Sequence, residues 1–296
     1  MNTNFNKKIA IGTAQFGLNY GVANKKGQLK ISEIKKILKY ARSVGVDTID
    51  TAQVYGNCEE RLGKIGVKNF KLIIKLPVTK PGSNIEKWVN ESFNLSLKKL
   101  KVKSAYGLLV HNTSYLLNNR VGPKLYKALL KLKEMKKIQK IGASIYSIQE
   151  LNKIIKKYKM GIILAPLNIF DQRMLKKNYL NSLKNRKIEI YTRSAFLQGL
   201  LMMNKKQRPE KFNKWEKLFN KWDNFRAKMK KSASEICLNF IFLNKEIDKT
   251  IIGIDNFKHF KQITSNRSLF KMNYKMFNSS KINKLINPSK WNQIQK

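Results

Sequence analysis

Cysteine and histidine are nearly absent from this chain of 296 residues, with two of each. Two cysteines, Cys58 and Cys237, cannot build a disulfide framework, and neither has a metal-ligand partner at useful spacing. His111 and His259 alone exclude a histidine-rich metal centre. No apolar run reaches the roughly 18 residues that a membrane-spanning helix needs. The stretch from Met1 to Ile9 is polar and has no apolar signal-peptide core, so the expected location is the cytoplasm. There is also no Gly-x-Gly-x-x-Gly turn after a strand, the signature of an open, doubly wound dinucleotide fold.

Acidic residues are scarce too. The chain has 61 Lys and Arg against 18 Asp and Glu, a formal charge of +43. Such an excess admits a polyanion partner, either nucleic acid or an anionic membrane surface. Only nine of the basic residues are arginine, the side chain suited to bidentate phosphate and base recognition. The lysines are spread through nearly every predicted helix rather than gathered in a tail or stripe. A compositional bias fits that spread better than a specific nucleic-acid role.

What is present is a regular alternation. Short apolar runs occur at Lys8–Ala14, Val46–Thr51, Lys71–Leu76, Ala105–Val110, Lys140–Ser144, Ile162–Pro166, Ile188–Arg193 and Thr250–Gly253. Several are apolar at consecutive positions, as parallel strands covered on both faces require. Helical spacing fills the intervals. Ser32 is placed to cap a helix through Ile34, Ile37, Leu38 and Ala41, Ile85–Lys99 and Val121–Lys137 carry apolar stripes, and Ser147 with Glu150 forms a capping box. Ala233–Asn244 is apolar enough to pack on a barrel wall. Eight strands each followed by a helix predict one α/β domain over residues 1–296, a closed (β/α)8 TIM barrel. The longest interval, Ala195 to Lys249, is expected to hold a covering loop and two helices. A Lys- and Asn-rich segment from about residue 267 is expected to cover the barrel.

Barrel enzymes place their chemistry at the C-terminal ends of the strands. Here those ends carry Asp50, Lys75, His111, Ser144, Asn168, Arg193 and Ser194. Taken singly, each has a structural explanation: a capping Asp50, a snorkelling Lys75, a satisfied core His111. A carboxylate, an ammonium and an imidazole on three successive strands, with Tyr55 five residues after Asp50, converge on one rim.

At these residues the chain resembles the aldo/keto reductase family. The likeness begins at Gly12-Thr13-Ala14-Gln15-Phe16-Gly17 and continues through Asp50-Thr51-Ala52-Gln53-Val54-Tyr55-Gly56. Lys75 in Lys-Leu-Pro and His111 in Leu-Val-His follow in the family's order, then Ile141-Gly142-Ala143-Ser144 and Arg193 to Leu201. Within the family, Gly12–Gly17, Asn168–Arg173, Arg193-Ser194 and Asn287-Pro288-Ser289-Lys290-Trp291 are similar to a bacterial branch associated with surface-polysaccharide and spore-coat biosynthesis.

The resemblance implies reduction of an aldehyde or ketone, sugar-derived in that branch, by a nicotinamide cofactor. NADP is the family default, with NAD as the alternative. Tyr55 is then the proton donor, Lys75 the ammonium that lowers the phenol's pKa, Asp50 the anchor of Lys75, and His111 a hydrogen-bonding partner of the substrate oxygen. Gly12, Thr13, Ser144, Asn168 and Arg193 are implied around the nicotinamide end. Ser194, Phe196 and Gly199 are implied along the phosphates, and Gly253, Asp255 and Asn256 open a predicted helix whose free N–H groups suit anions. His259, Gln262 and Ile263 stand where NADP-preferring relatives often carry Arg, Glu and Asn. Tyr20 and Gln53 are expected to line the substrate pocket. The competing readings are a cofactor-binding regulator with little turnover, a polyanion-binding protein, and a barrel isomerase. A Tyr/Lys pair suits proton donation to a carbonyl oxygen better than carbon deprotonation. A small-molecule carbonyl compound is thus the expected partner, and no metal is expected.

Overall fold

The computed structural model describes residues 5–24, 26–176, 178–265, 268–277 and 282–293. Eight strands run in parallel and close on themselves in sequence order, so the (β/α)8 barrel is the fold. The strands are β1 (Ile9–Gly12), β2 (Thr48–Ala52), β3 (Lys71–Lys75), β4 (Ala105–Val110), β5 (Ile138–Ser144), β6 (Ile162–Pro166), β7 (Glu189–Arg193) and β8 (Lys249–Gly253). Each coincides with a predicted run to within a few residues.

The principal helices outside the strands are α1 (Ala14–Gly17), α2 (Ile31–Ser43), α3 (Cys58–Ile65), α4 (Ile85–Leu100), α5 (Ser114–Leu117) and α6 (Gly122–Glu134). They continue with α7 (Ile148–Lys157), α8 (Tyr179–Asn185), α9 (Glu216–Met229), α10 (Ala233–Phe242) and α11 (Phe257–Thr264). The Ser147–Glu150 capping box opens α7, with both reciprocal hydrogen bonds formed. Ser32 does not cap α2. That helix starts at Ile31, two residues earlier than a Ser32 cap implies, with Lys30 at the cap position and no side-chain cap. The interval between β7 and β8 holds three 3-10 turns followed by α9 and α10. Among the described residues no helix is long and apolar enough to cross a membrane.

Two apolar cores follow from the strands' alternation. Ala10, Ile73, Leu109, Ile162, Leu164, Tyr191 and Ile251 fill the barrel interior. The opposite strand faces pack on the helices in a larger core that includes Ile11, Ile49, Leu72, Leu108, Ile163, Ile190 and Ile252. This parity fixes the rim. Side chains two residues on point the same way. Two past Ala10, Ile73, Leu109, Tyr191 and Ile251 stand Gly12, Lys75, His111, Arg193 and Gly253. Asp50 is registered beside Ile73 and shares its inward face. Inward parity therefore brings six of the candidate residues to the rim: Gly12, Asp50, Lys75, His111, Arg193 and Gly253.

The segment beyond α11 packs on the outside of the β6–β8 side. Gln172 Nε2 donates to the Tyr274 carbonyl, and Asn239 Nδ2 to that of Phe270. Phe277 and Trp291 are buried, the latter edge-on to Phe212 at 4.9 Å. Residues 266, 267 and 278–281, at the predicted start and middle of this segment, lie outside the described residues.

Gly17, at the end of α1, carries the loop that holds Tyr55. A Cβ there would lie 1.7 Å from the Tyr55 carbonyl oxygen and 2.7 Å from the Cys58 nitrogen, so backbone rather than a flexible side chain would have to move. Gly17→Ala is expected to cost about 1–3 kcal/mol in urea unfolding. It should also speed amide exchange at Tyr55–Cys58. Wild-type stability and exchange in that variant would show that the contact is slack.

Candidate active site

A cavity of about 380 Å³ opens at the C-terminal rim. Its wall includes Asp50, Tyr55, Lys75, His111, Ser144 and Arg193. Lys75, only 1% exposed, donates from Nζ to Asp50 Oδ2 at 2.5 Å and to the Tyr55 hydroxyl at 3.2 Å. Asp50, 3% exposed, is held from behind: the Thr13 N–H and hydroxyl both donate to its carbonyl, at 3.2 and 2.8 Å. Carboxylate, ammonium and phenol thus form one hydrogen-bonded row from barrel wall to cavity.

Electrostatics set the protonation states. Burial opposes the Lys75 ammonium, but the charge of Asp50, with Tyr55 and the hydrogen bonds to both, outweighs it and holds Lys75 above its ordinary value. Burial raises the Tyr55 phenol above its ordinary value, and Lys75 only partly offsets this. That corrects the expectation of a lowered phenol. In this closed site desolvation of the phenolate exceeds the pull of a lysine already neutralised by Asp50. Tyr55 is therefore a neutral acid at neutral pH. Burial, followed by the charges of Lys75 and Arg193, brings His111 down to about 4, so its imidazole is neutral as well. Its Nδ1 is buried with no hydrogen-bond partner among the described residues.

The cofactor set divides. Gly12, Thr13, Ser144, Arg193, Ser194, Phe196, Gly199, Gly253, Asp255 and His259 line the same cavity. Asn168, Asn256 and Gln262 do not. The Asn168 Nδ2 donates to the Ser194 carbonyl while its Oδ1 accepts from the Phe170 and Asp171 N–H groups, so the side chain braces two loops. Asn256 caps α11 by accepting from the His259 N–H at 2.7 Å. Gln262 lies on the exposed face of that helix. Nor are the leading N–H groups of α11 free as expected: that of Phe257 donates to Glu33 Oε1 at 2.7 Å. Gln53 turns away from the cavity to the Ser92 carbonyl and Ser96 on α4. The Asn168–Arg173 motif is closed by Arg173, which donates to both oxygens of the buried Asp171 at 2.8 and 2.7 Å.

Several wall residues were not foreseen. Tyr146 is one: the Arg193 guanidinium lies 4.4 Å from its ring centroid and donates to the Ile145 carbonyl. Tyr146 is two past Ser144, so the inward parity of β5 was a usable signal. Gln15 and Gln198 are others. The Gln198 side chain donates to the Tyr20 hydroxyl at 3.0 Å and its carbonyl accepts from the Val22 N–H at 3.1 Å, joining the loops after α1 and β7 across the mouth. The loop after β7 is strained, with positive φ at Ser194, Leu197, Gln198 and Gly199. Only the glycine adopts that region without cost, and such strain gathers at binding loops.

The wall suits an extended ligand lying close to the backbone. A Cβ at Gly253 would come within 2.5 Å of Gln15 Nε2, and one at Gly12 within 2.9 Å of Ile251. These glycines let the Gln15 and Ile251 side chains pack directly on the backbone, where all four residues form part of the cavity wall. Cys58 is not a candidate nucleophile, because it is buried and burial pushes its thiol up to about 11. Among the described residues no group of three or more His, Cys, Asp or Glu is placed to hold a metal ion.

Two buried groups make stability depend on pH in opposite senses. His111, at about 4 against 6.5, lets the unfolded chain take a proton that the folded one refuses, so stability falls as pH drops from 6.5 to 4. Glu59, 2% exposed on α3, is pushed up to about 7 by burial, so its contribution is fully present below 4.5 and lost as pH rises through 7. Urea titrations at stepped pH should show His111→Asn removing an acid-side loss of about 2 kcal/mol. Glu59→Gln should remove the opposing gain. Identical pH profiles in wild type and both variants would contradict these assignments.

The aldo/keto reductase family model matches residues 8–286. No curated protein matches the chain in sequence. Among solved structures it is similar to PA4992 of Pseudomonas aeruginosa, whose own assignment as an aldo-keto reductase is provisional. That likeness has a TM-score of 0.65 and 18% identity, covering 87% of this chain and 88% of that one. It is also similar to the glycerol dehydrogenase AKR11B4 of Gluconobacter oxydans, with a TM-score of 0.66 and 19% identity over 90% and 88% of the two chains. At such identities these neighbours speak for the fold alone. The family model spans nearly the whole barrel, and this chain belongs to the aldo/keto reductase family, whose general chemistry is oxidoreduction at a carbonyl.

Proposed function

We propose that this protein reduces an aldehyde or ketone to an alcohol with a nicotinamide dinucleotide, using Tyr55 as the proton donor. The observation that carries this reading is the row Asp50–Lys75–Tyr55, with Lys75 2.5 Å from the carboxylate and 3.2 Å from the phenol. When bound, the reduced nicotinamide supplies the hydride that no side chain can.

The chain's own part is the proton. A carbonyl oxygen seated beside the Tyr55 hydroxyl gains negative charge as its carbon is reduced. The phenol then gives up its proton to that oxygen. Lys75 stabilises the phenolate left behind, and Asp50 keeps the lysine charged and pointed at it. His111, neutral and in the same wall, offers a hydrogen bond that orients the substrate oxygen. Ser144 is placed to hold a carboxamide. Arg193, its guanidinium carbon 4.4 Å from the Tyr146 ring centroid, would support a planar ring beside it. Gly12, Thr13, Gly253 and the Ser194–Gly199 loop admit the rest of the dinucleotide close to the backbone.

A sugar-derived carbonyl is the substrate class we favour. Gln15, Tyr20, Asn24 and Gln198 bring polar groups to the cavity wall, where a hydroxylated molecule finds partners. The resemblance of Gly12–Gly17, Asn168–Arg173 and Asn287–Trp291 to the polysaccharide-associated branch supports the same class.

Stopped-flow mixing of the reduced dinucleotide complex with a carbonyl panel that includes keto-sugars tests the reading. Tyr55→Phe should slow turnover by about 10²- to 10⁴-fold while leaving dinucleotide affinity within about twofold. A variant that keeps most of its rate removes Tyr55 from the role. Binding without turnover on the whole panel in wild type would instead indicate a cofactor-binding regulator.

A further inference from the structure

The chain holds 61 lysines and arginines, yet among the described residues only Lys75 and Arg193 line the cavity. Neither belongs to the rim after β8. Lys75 is bound to Asp50, and Arg193, at the end of β7, lies on Tyr146. In the ring of eight strands β8 stands opposite β4, so the rim after β8 lies across the barrel from His111. We take the adenosine half of a dinucleotide whose reactive ring lies at Tyr55 and His111 to extend toward that side, where the cavity wall continues through Gly253, Asp255 and His259.

The ionisable groups lining that side are Asp255 and His259. Asp255 is partly buried, and its carboxylate is hydrogen-bonded by Gln15. The adjacent start of α11 offers an anion little. The Phe257 N–H is taken by the Glu33 carboxylate and the His259 N–H by Asn256. The positive end of the helix dipole is thus already met by one carboxylate, with a second facing the cavity. Lys258 and Lys261, on the same helix, are exposed and absent from the wall.

We infer that the site selects a dinucleotide with a free adenosine 2′-hydroxyl, NADH, over its 2′-phosphorylated counterpart NADPH, and that Asp255 is the discriminating carboxylate. A carboxylate accepts hydrogen bonds from a ribose diol, whereas a 2′-phosphate calls for a cation such as Arg. A phosphate monoester brings about −1.5 to −2 charges at neutral pH against Asp255, with no lysine or arginine on that wall to offset them. The inference rests on the cavity being a nicotinamide dinucleotide site.

Nicotinamide fluorescence titrations of the full chain with NADH and with NADPH decide it. Wild type is expected to bind NADH at least about tenfold more tightly, a difference of about 1.4 kcal/mol. Asp255→Asn and Asp255→Ser should each narrow the ratio by about tenfold, chiefly by strengthening NADPH binding. Equal or tighter NADPH binding in wild type, or a ratio unchanged in both variants, overturns the inference and leaves the dinucleotide site standing. Binding of neither nucleotide removes the site reading and this inference with it.

Discussion

The buried ion pair between Asp50 and Lys75 is the constraint on which the rest of the site depends. An ammonium only 1% exposed is costly without an anion in contact. Asp50 supplies that anion at 2.5 Å, and Thr13 fixes the Asp50 backbone from the neighbouring strand. The pair exists because β2 and β3 are registered so that Ala52 lies beside Lys75 and Asp50 beside Ile73. A slip of one residue would turn Lys75 into the helix-packed layer. Breaking the pair by removing one partner would leave an uncompensated charge in the barrel, so placement of the Lys75 ammonium and integrity of the barrel mouth are one requirement.

The same pair explains why the phenol is not acidified at rest. Lys75's charge is largely spent on Asp50, and burial keeps the Tyr55 proton in place. In the proposed reaction the lysine acts on the phenolate that forms when the proton leaves. This separation suits a general acid, which must hold its proton until a neighbouring oxygen becomes negative. His111 fits the scheme: burial first, then the charges of Lys75 and Arg193, keep its imidazole neutral and able to donate without adding charge.

Charge is distributed unevenly between surface and cavity. Lysines cover the outside of the molecule, while the cavity wall carries two cations against Asp50 and Asp255. The net charge of the chain is therefore a poor guide to the potential a ligand meets inside. Local pairing and burial decide that potential.

The sequence by itself determined the eight-strand alternation, the order of Asp50, Tyr55, Lys75 and His111, and their place at strand ends. These follow from local rules: apolar runs make strands, two-residue periodicity sets which side chains face inward, and Ser147 with Glu150 starts a helix. Tertiary structure alone decided the functions of residues whose roles depend on distant partners. Asn168 proved to be a brace because Ser194, 26 residues away, offers its carbonyl. The first N–H of α11 is taken because Glu33, 224 residues earlier, reaches it. Gln53 left the cavity for α4, and Tyr146 entered beneath Arg193. Periodicity specifies the face a side chain presents. Hydrogen bonds and pKa shifts depend on what the closed barrel brings to that face, which no local stretch of chain encodes.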